Sequence, residues 1–168
     1  MVSRAITSTT RAGRQLDEMR DDFRRQTSSQ LGEAMRDLRQ EARQLDDRQQ
    51  EIADAMQEQI DSRQRSLRDF EGSQELAEQI EQQQERMQEL IEQMRDLSEQ
   101  SENAEPLVSR KLYDTGRQAS TSNLDEALEA TSELLRRNFL PQAQEVERQA
   151  NEGIDAVRRG VEEAAKNV

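Results

Sequence analysis

Leu31, Leu38, Leu45 and Ile52 recur at every seventh residue, and Met35, Ala42, Gln49 and Met56 form a second sevenfold series offset by four. Alternating steps of four and three place both series along one side of an α-helix, as the d and a positions of a coiled-coil seam. The stripe continues through Ile60, Arg63, Leu67 and Phe70. Its steps from Ile52 to Met56 to Ile60 are four and four, a stutter that relaxes a left-handed supercoil. Upstream, Leu16, Met19 and Phe23 keep the pattern, whereas residues 26–30 (QTSSQ) leave the seam polar. The spacing predicts one long helix from about 15 to 70, weakened near Ser28 and Ser29.

A second seam follows. Leu76, Gln83, Leu90 and Leu97 form one sevenfold series; Ile80, Met87, Met94 and Ser101 form the other, again four apart. Between the seams stands Glu71-Gly72-Ser73, where Gly suits the position past a helix C-terminus and Ser the next N-cap. The register also slips by one there, since Leu67 and Phe70 predict Gln74 and Ala77 as the next seam positions, not Leu76. A turn near 71–73 is therefore expected, folding residues 15–105 into an antiparallel helical hairpin. Gln83 is a polar residue in an apolar seam, a position that more often sets register or partner number than reactivity. If that position is buried, replacing Gln83 with Leu is expected to raise thermal stability.

Composition explains why seams, and not a broad core, must hold the chain together. Of 168 residues, 32% are apolar and 36% charged, with only Phe23, Phe70, Tyr113 and Phe139 aromatic. A compact globule of this length buries about 70% of its unfolded surface, and there is too little apolar material for that. Long helices burying a narrow stripe remain, with disorder as the alternative. The chain has no Cys and no His, which removes disulfides, thiolate nucleophiles, zinc–thiolate sites and imidazole-based metal or acid–base chemistry. No apolar run approaches the ~18 residues of a spanning helix. Residues 1–14 are basic and acid-free but lack an apolar h-region, so they are expected to be a flexible arm and not a secretory signal.

The net charge of −12 is uneven. Residues 1–70 hold 13 Arg and 14 acids, residues 71–105 hold 2 Arg and 11 acids, and residues 106–168 hold 9 basic and 11 acidic groups. Phosphate backbones and anionic lipid repel such a chain, so no nucleic-acid partner is expected. With a turn at 71–73, Arg63, Arg65 and Arg68 would lie beside the acidic second helix and orient the pairing.

Residues 106–168 read as a C-terminal helical segment with breaks near 120–122 and 138–141. Ser101 to Glu105 ends the second seam, and Pro106 is suited to N1 of a short helix reaching about Ala119. Val108, Leu112, Thr115 and Ala119 share one face of it. Ser122 and Asp125 have capping-box spacing and open a helix with Leu124, Leu128, Thr131 and Leu135 to one side. Asn138-Phe139-Leu140-Pro141 breaks it. A last seam follows, with Ala143, Ala150, Val157 and Ala164 alongside Val146, Ile154, Val161 and Val168.

No catalytic, cofactor-binding or metal-binding residue is assigned. The Glu/Gln row at 78–100 lies on one helix outside the seam, whereas carboxylate sites need convergence from several elements. Asp114-Thr115-Gly116 spells the DTG of aspartic proteases, but those enzymes need two such loops in a β-rich fold. Asp21-Asp22 and Asp46-Asp47 lack EF-hand spacing and are expected on solvated helix surface. The expected fold is all-α: an elongated coiled coil or antiparallel helical hairpin with short C-terminal helices. The expected function is that of a structural or protein–protein interaction module, not an enzyme. It would act through a seam of Leu31, Met35, Leu38, Leu45, Ile52, Met56, Leu76, Ile80, Gln83, Met87, Leu90, Met94 and Leu97. Expected partners are protein helices, from a homo-oligomer or another chain, with no cofactor. A peripheral membrane contact is the weaker alternative, because these seams are narrow and aliphatic and the strongest is the most acidic.

The stretch LVSRKLYDTGRQ (107–118), with LDEALEATSELLRRNFLPQAQEVERQANEGIDAVRRGVEEAA (124–165), resembles the C-terminal parts of large uncharacterised bacterial membrane-anchored proteins with Gln/Glu-rich coiled coil. The likeness extends over residues 45–168 and is most specific at 107–141. It implies a piece of a larger membrane-anchored assembly and brings no catalytic motif. The present sequence departs from that pattern in having no membrane segment.

Overall fold

A computed structural model describes residues 2–62 and 67–168, with side chains described for 10–62 and 70–168. Its described residues form five helices and no strand: α1 (Val2–Ser62), α2 (Leu67–Ser101), α3 (Pro106–Thr121), α4 (Leu124–Arg136) and α5 (Leu140–Ala165). The all-α class follows from the apolar period, and the helix ends follow from local chemistry. Pro106 and Pro141 sit in the first turns of α3 and α5, where a missing N–H costs nothing and φ is already helical. Asn123 and Asn138 take left-handed φ values of 57° and 62° at the two later breaks, a conformation Asn tolerates better than most residues.

The helices pack side by side as a bundle. α1 packs on α2 and α5, and α2 and α5 both pack on α3 and α4. α3 and α4 meet mainly end to end, so together they make one interrupted column opposite α1. Successive columns run antiparallel: on α1 and α2, Gln59 neighbours Gly72 while Gln49 pairs with Gln83, and on α1 and α5, Gln57 pairs with Gln144 while Arg43 pairs with Glu162. Residues 106–168 thus pack along the hairpin of α1 and α2, within one shared core. That core holds Met35, Leu38, Ile52, Met56, Ile80, Leu90, Met94, Leu112, Leu128, Leu135 and Ile154, each at most 2% exposed. Burying each such side chain contributes roughly 1.5–3 kcal/mol.

Several expectations change in this setting. α1 ends at Ser62 and α2 begins at Leu67, so the chain has reversed before Gly72 and Ser73, which lie inside α2. Gly72 lies beside the Gln59 side-chain amide, the far end of a flexible side chain. Ser73 is fully buried and donates to Asn138 Oδ1 at 2.9 Å, tying the start of α2 to the loop after α4. Arg63, Arg65 and the side chain of Arg68 lie outside the described residues. The segment expected as a loose arm is continuous with α1 from Val2, and Ser28 and Ser29 do not interrupt it. Ser122 does not cap α4: Asn123 holds the N-cap position without a side-chain bond, and the Ser122 hydroxyl donates back to Ala119 O at 3.1 Å.

Candidate interaction surfaces and a buried polar layer

The seam predicted from the sevenfold series lies inside the bundle. Leu31, Met35, Leu38, Leu45, Ile52, Met56, Leu76, Ile80, Gln83, Met87, Leu90 and Met94 are all buried, each at most 5% exposed. Leu97 is the exception, half-buried at the edge while Ser98 takes the interior position. The drift is geometric: an α-helix has 3.6 residues per turn, so a strict 3.5-residue stripe walks off the core face. There Ser98 Oγ donates to Ser109 O at 2.8 Å and Ser109 Oγ donates to Ser98 O at 2.6 Å. Two small hydroxyls thereby let α2 and α3 approach closely beside their connection.

Midway along the bundle, three polar side chains share one layer. Gln49 of α1, Gln83 of α2 and Glu147 of α5 are at most 2% exposed. Gln49 Nε2 donates to Glu147 Oε1 at 3.0 Å. Gln83 Nε2 donates to Leu45 O at 2.8 Å and to Gln49 Oε1 at 3.3 Å. Asn151 Nδ2 adds a bond to Glu147 Oε1 at 3.2 Å. Burial pushes the Glu147 carboxyl above its ordinary range, against the Gln49 and Asn151 hydrogen bonds and nearby Arg148, which favour the charged form. The two Gln were legible as polar seam positions, but Glu147 was not. Seven residues before Ile154 is Glu147, and the neighbouring apolar Val146 drew the assignment away from it. Strict stepping would have found it.

Beside this layer, an ionic lattice joins α1 to α5. Arg158 contacts Asp46 at 2.7 Å, Asp155 at 2.7 Å and Glu162 at 3.1 Å, and Arg43 bonds Glu162 at 2.8 Å. Asp46 is therefore half-buried against α5 and not on open helix surface. Burial raises its carboxyl even with Arg158 attached, whereas the Arg43 hydrogen bond holds Glu162 below the ordinary range. On the other side, Gln84 and Gln88 of α2 both donate to Asp125 Oδ1, at 3.1 and 2.7 Å. Arg136 forks onto Glu81 with two bonds of 2.9 Å. The Glu/Gln row therefore presents amides where it faces a carboxylate of α4 and a carboxylate where it faces a guanidinium.

Chemically, these groups cross-link helices. Among the described residues, no group of three or more acids is placed to hold a metal ion, and no helix is long and apolar enough to cross a membrane. Asp114, of the DTG triplet, is exposed on α3, and Thr115 is packed against Gly160. A groove of about 800 Å³ runs between α2 and α3, lined by Ile91, Arg95, Glu102, Tyr113 and Arg117 among others. Its bases and acids are balanced and it is open to solvent.

Exposed large apolar side chains stand singly at Phe70, Leu107, Tyr113, Phe139 and Val168, and three follow one another on α1. Leu16, Met19 and Phe23 are 67%, 66% and 71% exposed, on the part of the helix that projects past the base of the bundle. What fold and surface define is an antiparallel helical bundle with a projecting helical arm. No protein-family profile, curated protein or solved structure matches the chain.

Proposed function

We propose that this protein is a non-enzymatic structural or interaction module that works by helix-on-helix packing, with the arm of α1 as its contact surface. One observation carries the reading: the predicted seam is consumed inside the bundle, while Leu16, Met19 and Phe23 stand exposed on a stretch of α1 that no other described residue covers. Burying three such side chains against a partner helix removes apolar surface from water, which favours association. Glu147 and Asp46, whose carboxyls are raised by burial, are tied to neighbouring helices and serve the bundle. Proximity labelling in the native cell tests the reading. A Leu16→Ser/Phe23→Ser chain is expected to lose protein neighbours that the wild-type chain labels, and an unchanged neighbour set would overturn it.

A second reading is favoured by one feature of the same arm. Arg20 flanks the stripe that carries Phe23, a pairing of aromatic and basic residues that suits a helix lying on a lipid surface. It accords with the resemblance to membrane-anchored bacterial proteins. Flotation with anionic vesicles separates the two readings, since an interaction module stays with the soluble fraction.

A further inference from the structure

The arm and the bundle do not share a face. From Phe23 to Leu31 is eight residues, so the arm's stripe is rotated by roughly a quarter turn from the core face. It therefore does not extend the bundle interior but forms a seam of its own. In sequence it keeps strict steps of three and four through positions 2, 5, 9, 12, 16, 19, 23, 26 and 30. Of the ten charged residues in positions 1–30, only Arg20 and Asp22 directly flank that seam; the others fall on outward positions. This is the pattern of a two-helix contact with one partner absent.

We infer that the partner is the arm of a second copy, packed antiparallel so that position i lies opposite position 35 − i. The inference rests on the packing function proposed above and supplies its partner. In this register Leu16 meets Met19 of the partner, twice, about the two-fold axis. Ala12 faces Phe23 of the partner, so the bulkiest seam residue meets a small one. A parallel pair in register would instead stack Phe23 on Phe23 and Ala12 on Ala12, making one layer too wide and another too narrow for even packing.

Charge agrees with the same register. Position 4 falls level with position 31 of the partner, where the other's bundle begins, at Leu31. Residues 1–16 carry three Arg and no acid. They approach the base of the partner's bundle, where residues 98–105 carry Glu99, Glu102 and Glu105 and no base. Such a contact is isologous and closes on itself as a dimer.

Sedimentation equilibrium and disulfide trapping of the full chain test this. The wild-type chain is expected at about twice the 19.4 kDa chain mass at micromolar concentration. Leu16→Ser/Phe23→Ser should halve the mass while leaving the thermal unfolding of the bundle in place, because both residues are exposed outside the core. The natural chain has no Cys, so single thiols report geometry. Ala12→Cys alone should form no disulfide, since position 12 and its two-fold mate stand about 16 Å apart along the pair. An Ala12→Cys chain mixed with a Phe23→Cys chain should cross-link, since position 23 lies opposite position 12. A monomer at every concentration overturns the inference, as does an Ala12→Cys homodimer, which reports parallel arms. So does a monomer that floats with anionic vesicles. A monomer that still loses its cellular neighbours in the Leu16→Ser/Phe23→Ser chain removes self-pairing only and leaves the interaction function standing.

Discussion

Gln49 donates its side-chain amide to Glu147 at 3.0 Å, and both side chains lie in the interior of the bundle, on α1 and α5. A carboxylate so placed loses its hydration and regains only part of it from two amides. Burial therefore raises the Glu147 carboxyl above its ordinary value of 4.5, which makes the native state the better proton binder of the two. The sign follows by linkage: a carboxyl raised on folding lowers stability as pH rises from the unfolded value through the folded one. Glu147 thus favours the fold in mild acid and opposes it at neutral pH. Asp46 is raised by burial and acts in the same sense, while Glu162 and Glu163, lowered by Arg43 and Lys111, act in the opposite sense. The difference between wild type and Glu147→Gln isolates the one group. That variant is expected to be more stable at pH 7, by about 1 kcal/mol, and no more stable below pH 4. Urea unfolding at both pH values checks it; equal gains at both would remove Glu147 as the cause.

Gln83 carries the second prediction. Its burial alone suggested that Leu would be the better residue, but its amide satisfies Gln49 Oε1, and Leu cannot. Leaving a buried acceptor without a donor costs about 1–3 kcal/mol, which exceeds the gain from a better-fitting apolar side chain. Gln83→Leu is therefore expected to lower the unfolding temperature. Replacing Gln49, Gln83 and Glu147 together with Leu removes the whole polar layer and is expected to recover or exceed wild-type stability. A rise in the single variant would show that the layer's hydrogen bonds do not matter.

The acidic row on α2 gives the third. Gln84 and Gln88 converge on Asp125 of α4, so an amide at these positions does what a carboxylate cannot. Gln88→Glu would set two like charges at hydrogen-bond distance on a solvated surface, at a cost of about 0.5–1 kcal/mol that salt reduces. Chemical denaturation at low and high ionic strength should show the loss shrinking. If the variant is as stable as wild type at low salt, the Asp125 contact carries no energy.

These three sites also mark how far the sequence was readable. The period gave the helices and nearly the whole core, because burial of a narrow stripe is the only way this composition can fold. Gln83 and Gln49 were visible as polar residues on that stripe. What the period could not show was that the stripe is shared among four columns. A hairpin seam and a bundle interior have the same spacing, so whether Leu76 or Leu90 meets one neighbour or three depends on long-range packing. The hairpin turn lies before Gly72 and Ser73: these two carry the chemistry of a helix end, but in the bundle they sit inside α2, where Ser73 bonds Asn138. The open stripe at Leu16, Met19 and Phe23 was legible as apolar but not as uncovered, since exposure belongs to the assembled bundle.

Close approach gives the fourth prediction. Gly160 of α5 lies against Thr115 of α3, and an added Cβ would collide with the Thr115 side chain, whose Cβ stands 2.9 Å from that point. Thr115 is itself held, its hydroxyl donating to Lys111 O at 2.7 Å, so it cannot simply rotate away. Ala is the better helix former by about 1 kcal/mol, yet forcing the columns apart costs about 1–3 kcal/mol. Gly160→Ala is therefore expected to destabilise the bundle. Gly116→Ala supplies the contrast, since nothing lies within 4 Å of its would-be Cβ, and there the same change should stabilise by up to about 1 kcal/mol. Combining Gly160→Ala with Thr115→Ala opens the space again and should restore much of the loss. Thermal unfolding of the three variants decides between packing and propensity: if Gly160→Ala and Gly116→Ala shift stability equally, the α3–α5 contact is looser than the geometry requires.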